Sequence, residues 1–186
     1  MKAAVFMLSV VLLLSGCSNG ASDLDRALVF RDRLLEASEC RFHAVIVADY
    51  GDTVHTFEMD TKTDSQGDLF FEVIYPETIS GISGTVRQEG PFITFDDKIL
   101  AFPMLADGLL APVAAPWVLM KALRSGYISS VVKEGEHWHI TLRDSYEEDA
   151  LTVDAWLDEQ WTPVQCRIYY KEEDILTLQL EDFKIV

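Results

Sequence analysis

The chain has 186 residues, 49% of them hydrophobic, and its 31 acidic against 15 basic side chains leave a net charge of −16. That length builds one ordinary domain with a sizeable core. An acidic chain without a basic patch repels phosphate backbones, which argues against nucleic-acid binding, and the same charge keeps the domain from lying flat on anionic lipid.

The chain opens with one basic residue, Lys2, and an almost wholly apolar run from Ala3 to Leu14. A positive start, an apolar middle and small residues at the cut make a signal-peptide layout, and the middle is too short for an ordinary membrane span. The run ends in Leu14-Ser15-Gly16-Cys17. This stretch resembles the lipobox of bacterial lipoproteins. The resemblance implies that the Cys17 thiol receives diacylglycerol, that the chain is cut before Cys17, and that the new amino terminus is acylated too. It divides the chain into a lipoprotein signal peptide (1–16), a lipidated tether (17–22) and a single domain (23–186). Two or three acyl chains, at about 0.8 kcal/mol per buried methylene, anchor stably where one holds marginally. The five tether residues from Ser18 to Ser22 reach at most ~17 Å. The domain is therefore expected outside the cytoplasm, close to the cell membrane or an outer-membrane leaflet.

Ser22-Asp23-Leu24-Asp25 reads as a helix start, with Ser22 as the cap and the acids at the positive pole. Leu24, Ala27, Leu28, Leu34 and Leu35 follow at helical spacing, and the helix is expected to end near Ser38. From Arg41 to Pro103 the pattern turns to strands: 41–50, 53–62, 69–75, 82–88, 92–95 and 99–102, joined by short turns. Met104 to Met120 holds no basic residue and one acid, Asp107, and is broken by Pro112 and Pro116. Pro116 suits a helix's first turn and Ser125-Gly126 its end, so a helix apolar nearly all round is expected from Pro116 to Arg124. Strands resume at 127–133, 137–142, 151–157, 163–170 and 175–185. The sum is a mainly β (α+β) fold. It is a curled antiparallel half-barrel of about eleven strands in meander order, with an N-terminal helix and an inserted helix covering the concave side.

That order of elements, over residues 23–186, resembles the LolA/LolB-like envelope lipoproteins. The local matches are Asp96-Asp97-Lys98 opening a strand that ends at Phe102-Pro103, and Gly67-Asp68-Leu69 opening one that ends at Pro76. The resemblance implies a fold able to hold an apolar ligand. The family's carriers use an arginine near that proline to hold the apolar lid closed; here no arginine occurs from residue 42 to 86, and Glu72 precedes the proline.

Other chemistry is thinly signalled. His137 and His139 share a strand face and could meet one metal ion, but no third or fourth ligand is placed by spacing, so they read as sheet residues. Glu147-Glu148 and Glu172-Glu173 read as solvated turns. The acids Asp49, Asp52, Asp60, Asp64 and Asp68 lack calcium-loop spacing. Ser80-Gly81-Ile82-Ser83-Gly84 lacks the context of a nucleophile elbow, and no phosphate-cradling glycine loop occurs. No catalytic residue, cofactor or metal is assigned. Cys40 and Cys166 read as buried free thiols, with a disulfide as the alternative. The aromatic load of 10 Phe, 6 Tyr and 4 Trp points to a core in which some rings border an apolar concavity. The candidate cavity or lid residues are Trp117, Leu119, Met120, Phe71, Phe95 and Trp138. The expected function is a membrane-anchored envelope lipoprotein that binds or carries a lipid, acyl chain or lipidated partner. The alternative is a non-catalytic interaction lipoprotein that binds another envelope protein.

Overall fold

The computed structural model describes residues 19–49, 51, 53–87, 93–95, 98–100, 105–106, 109–145, 147 and 150–186. Residues 1–16, read above as a signal peptide, and Cys17, Asp96, Asp97, Phe102 and Pro103 lie outside them.

Helix α1 runs Asn19–Glu36. It buries Ala27, Phe30 and Leu34, spaced three and four apart as one helical stripe requires. It starts at Asn19, three residues before the expected start at Ser22. It also stops at Glu36, where the Ser38 N–H and hydroxyl turn to the Val186 carbonyl at 2.8 and 3.0 Å.

The strands are β1 (Glu39–Asp49), β2 (Val54–Asp64), β3 (Leu69–Tyr75), β4 (Ser83–Val86), β5 (Ile93–Phe95), β6 (Lys98–Leu100), β7 (Leu105–Ala106), β8 (Leu109–Leu110), β9 (Tyr127–Glu134), β10 (His137–Arg143), β11 (Thr152–Leu157), β12 (Pro163–Tyr170) and β13 (Glu173–Ile185), with helix α2 (Ala115–Ser125) between β8 and β9. Eleven form one antiparallel sheet in the order β6-β5-β4-β3-β2-β1-β13-β12-β11-β10-β9, and β7 with β8 makes a separate hairpin. Alternation marks the inner face: Phe42, Ala44, Ile46 and Ala48 on β1, Val153, Ala155 and Leu157 on β11.

One meander was expected; there are two. The first and last strands pair at the sheet's centre, from Cys40 opposite Ile185 to Ala48 opposite Leu176. The strands flanking the insertion, β6 and β9, become the two edges. The insertion provides the reason: α2 approaches β2 and β10 to β13 from the inside. A chain that crosses the concavity through a buried helix resumes on the far edge of the sheet. The fold is thus a curled antiparallel sheet with a leading helix and an inserted helix on its concave side.

Candidate ligand cavity

Two prolines shape the entry to α2. Pro112 starts a 3-10 turn, and Pro116 falls in the first helical turn, where a missing N–H costs nothing. Most of the residues that follow are apolar, and Trp117, Val118, Leu119, Met120, Ala122 and Leu123 are all buried, while Lys121 is exposed. Such a helix needs protein around most of its circumference. The hydrophobic interior meets that need, while two arginines tie its C-terminal end to the rest of the domain.

Arg31, on α1, takes the C-terminal end. Its Nε donates to the Leu123 carbonyl at 2.9 Å and its Nη2 to the Gly126 carbonyl at 2.7 Å. A helix's last carbonyls have no partner within the helix and carry partial negative charge, so a cation there is doubly favourable. Gly126 is needed at this close approach: a Cβ on it would stand 2.7 Å from the Ala122 carbonyl oxygen.

Arg124, on α2 itself, grips the turn between β2 and β3. Its Nη1 donates to the Asp64 carbonyl at 2.8 Å and its Nη2 to the Ser65 carbonyl at 2.7 Å. The turn is preset for this. The Asp64 carboxylate accepts the Gln66 and Asp68 N–H groups at 2.9 and 3.1 Å. Gly67 supplies the positive φ, +90°, that closes the loop. The family-like arginine sought between residues 42 and 86 is absent, but two arginines outside that window hold the inserted helix instead.

Between α1, α2 and this turn lies a cavity of about 270 Å3. Leu35, Trp117 and Met120 form its apolar wall; Thr63, Lys121 and Arg124 bring polar groups to it. Trp117 is 5% exposed, and the Lys121 ammonium stands 5.1 Å from its ring centroid, within cation–π range. Thr63 is buried, and its hydroxyl has no hydrogen-bond partner.

The structure brings Trp117 and Met120 of the sequence-derived set together at this cavity. Leu119 is wholly buried one residue away. Trp138 is also buried, but elsewhere: it stacks on Trp161 at 5.1 Å, and Trp161 in turn lies 6.3 Å from Phe30 of α1. Phe71 is buried on β3 beside a separate open groove. Phe95 belongs to β5 and its side chain lies outside the described residues. Leu35, Thr63, Lys121 and Arg124 entered no sequence-level site. The usable signal was Asp64-Ser65-Gln66-Gly67-Asp68, a turn whose exposed carbonyls need a donor.

The histidines are engaged with acids. His139 Nδ1 is 3.0 Å from Glu134, its Nε2 is 3.1 Å from Asp154 but poorly aligned for a hydrogen bond, and its ring stacks on Trp156 at 4.6 Å. Glu134, which also accepts from the Trp156 indole N–H, is held below the usual carboxylate range by that bond and by His139. His137 is exposed. Among the described residues no three His, Cys, Asp or Glu side chains gather as a metal site. Cys40 on β1 and Cys166 on β12 are free, buried thiols, and burial pushes the Cys166 thiol well above its ordinary value. Among the described residues no helix is long and apolar enough to cross a membrane.

No family model matches the chain, and no curated protein matches it. Solved structures do. A protein of the LolA superfamily from Nitrosomonas europaea is 8% identical, with 86% of this chain and 93% of that one covered, at a TM-score of 0.47. A DUF1329 family protein from Desulfovibrio piger is 10% identical over 91% of this chain and 94% of its own, at 0.49. The lipoprotein LppX of Mycobacterium tuberculosis is 10% identical over 87% and 93%, at 0.40.

Proposed function

We propose that the chain is an extracytoplasmic lipoprotein, anchored through acylated Cys17, that binds a lipid or acyl chain beside its inserted helix. The observation that carries this reading is the cavity of about 270 Å3 under α2, walled by Trp117 and Met120. A buried aromatic next to empty, partly polar-rimmed space is the usual form of a small-ligand site. The C-terminal end of the helix beside it is held by arginine–carbonyl hydrogen bonds, which are exchangeable, so α2 can act as a cover. Cys17 lies two residues before α1, which keeps the domain near the bilayer. This reading is non-catalytic and assigns no cofactor.

Two measurements test it. Mass spectrometry of lipids that co-purify with the protein is expected to find an acyl-chain ligand at a fixed ratio, lowered in Trp117→Ala; a protein free of lipid argues against the binding role. Cys17→Ala is expected to abolish metabolic labelling by a fatty-acid analogue, and label retained in the variant refutes the anchor.

A second reading, an interaction lipoprotein, is favoured by one observation. Leu24, Leu28 and Leu35 are 41%, 42% and 49% exposed on one stripe of α1, an apolar line that suits a protein partner. Leu28→Glu, which leaves the cavity intact, is expected to abolish partner capture and spare lipid retention if this second reading holds.

A further inference from the structure

The lining of the cavity runs against the composition of the chain. The chain carries 31 acidic and 15 basic residues. The ten residues that border the cavity include two cations, Lys121 and Arg124, and no carboxylate. Arg124 is occupied by the carbonyls of the turn. Lys121 is not: it is exposed, has no carboxylate within 4.0 Å among the described residues, and its ammonium stands over the Trp117 ring. In the same cavity lining the Thr63 hydroxyl is buried without a partner. An unpaired buried hydroxyl destabilises the fold, and a ligand oxygen that accepts from it recovers that cost. Thr63 calls for a hydrogen-bond acceptor and Lys121 for a negative charge, and one anionic oxygen-bearing head supplies both, with Leu35, Trp117 and Met120 as the apolar wall.

We infer that the cavity takes a single-chain amphiphile with an anionic head, the head at Lys121 and Thr63 and the chain against Trp117, Met120 and Leu35. The volume limits the chain number: 270 Å3 is about nine water volumes and falls just below the range of drug-sized sites. With α2 in place it admits part of one acyl chain. A free fatty acid and a single-chain phospholipid share this chemistry, differing in a carboxylate or a phosphate head. This inference rests on the ligand-cavity reading above, and the experiment separates the two.

The full lipidated chain in phosphatidylcholine nanodiscs is titrated calorimetrically at pH 8 with decanoate, decyl phosphate and decanol, against empty nanodiscs. The expected result is that at least one anion binds roughly ten-fold or more tighter than decanol, the size of one charge-assisted hydrogen bond. Decanoate ahead of decyl phosphate assigns the carboxylate; the reverse assigns the phosphate. Lys121→Gln is expected to bring that anion to within about two-fold of decanol and leave decanol unchanged, which also shows that the variant is folded. Thr63→Val, the same shape without the hydroxyl, is expected to narrow the preference in the same way. Equal affinity for all three overturns the anionic head and leaves the apolar cavity standing. A preference that survives Lys121→Gln overturns the placement. No binding of any probe overturns both.

Discussion

Two turns at the same end of the sheet are built alike and do different work. The turn from Asp64 to Asp68 joins β2 to β3, and the turn from Asp158 to Thr162 joins β11 to β12. In each, the leading aspartate accepts two N–H groups, from Gln66 and Asp68 at 2.9 and 3.1 Å and from Gln160 and Thr162 at 2.9 and 2.8 Å. In each, the fourth residue donates back to the aspartate's carbonyl, at 3.1 and 3.0 Å, and has positive φ. That residue is where they part. At one turn it is Gly67, without a side chain, on the wall of a cavity. At the other it is Trp161, at φ +63°, whose indole stacks on Trp138 and meets Phe30. Helix α1 spans both, with Phe30 over the filled turn and Leu35 over the open one. The lesson is that one backbone frame serves as core or as cavity wall according to a single side chain, and the tryptophan accepts a strained backbone to fill its site.

The largest expected effect separates the two tryptophans that face these turns. Trp138 and Trp117 are almost equally withdrawn from water, 6% and 5% exposed. Trp138→Ala removes a fully packed ring and is expected to cost about 3–5 kcal/mol in denaturant unfolding, with decanol binding unchanged. Trp117 already borders empty space and has fewer contacts to lose. Trp117→Ala is expected to cost roughly 2 kcal/mol, below that range, and to change decanol binding. Equal costs with unchanged binding would make the cavity incidental and erase the distinction.

The turn frames come next. Asp64→Ala and Asp158→Ala each strip two N–H groups of their acceptor, an expected loss of about 1–2 kcal/mol apiece. Only Asp64→Ala is expected to weaken ligand binding as well, because Arg124 grips the carbonyls of that turn. If Asp158→Ala weakens it equally, the turns are not functionally distinct.

A smaller effect is expected at the fourth position. Gly67→Ala places a Cβ at φ +90°, at a cost of about 1–2 kcal/mol, and narrows the cavity wall. Thermal melts and decanol titration are expected to show a modest destabilisation with a clear loss of affinity; a stability loss alone would place the ligand elsewhere.

The smallest concerns Glu39, which sits opposite Asp64 in the sheet register and thus beside the open turn. Hydrogen bonds from Arg41 and Lys62 hold its carboxyl below the ordinary glutamate value. Its folded pKa is depressed, so as pH falls the unfolded chain takes up the proton first and stability declines. The contribution is complete above about pH 4.3, the unfolded value, and is lost as pH falls through the lower folded value. Glu39→Gln is expected to melt below wild type at neutral pH, with the two curves converging in acid. A constant difference between them contradicts the assignment.

Elements whose signals are local could be read from the residues alone. Pro116 and Gly126 bracket the inserted helix within one residue of its observed ends, because proline sets φ and a close approach demands glycine. Strand 69–75 was legible to the residue, since Gly67-Asp68 and Pro76 punctuate it, and the alternation of Leu151, Val153, Ala155 and Leu157 puts them on one face, where the last three are buried and Leu151 partly so. Only the tertiary structure decided what rests on contacts distant along the chain. The pairing of β1 with β13 leaves no trace in loop length, and Arg31 reaches the Leu123 carbonyl across 92 positions from a helix where it reads as one more surface charge. Trp117 and Trp138 looked alike as aromatics in an apolar pattern, because periodicity reports that a side chain is buried but not whether its neighbour is a Trp161 or a Gly67.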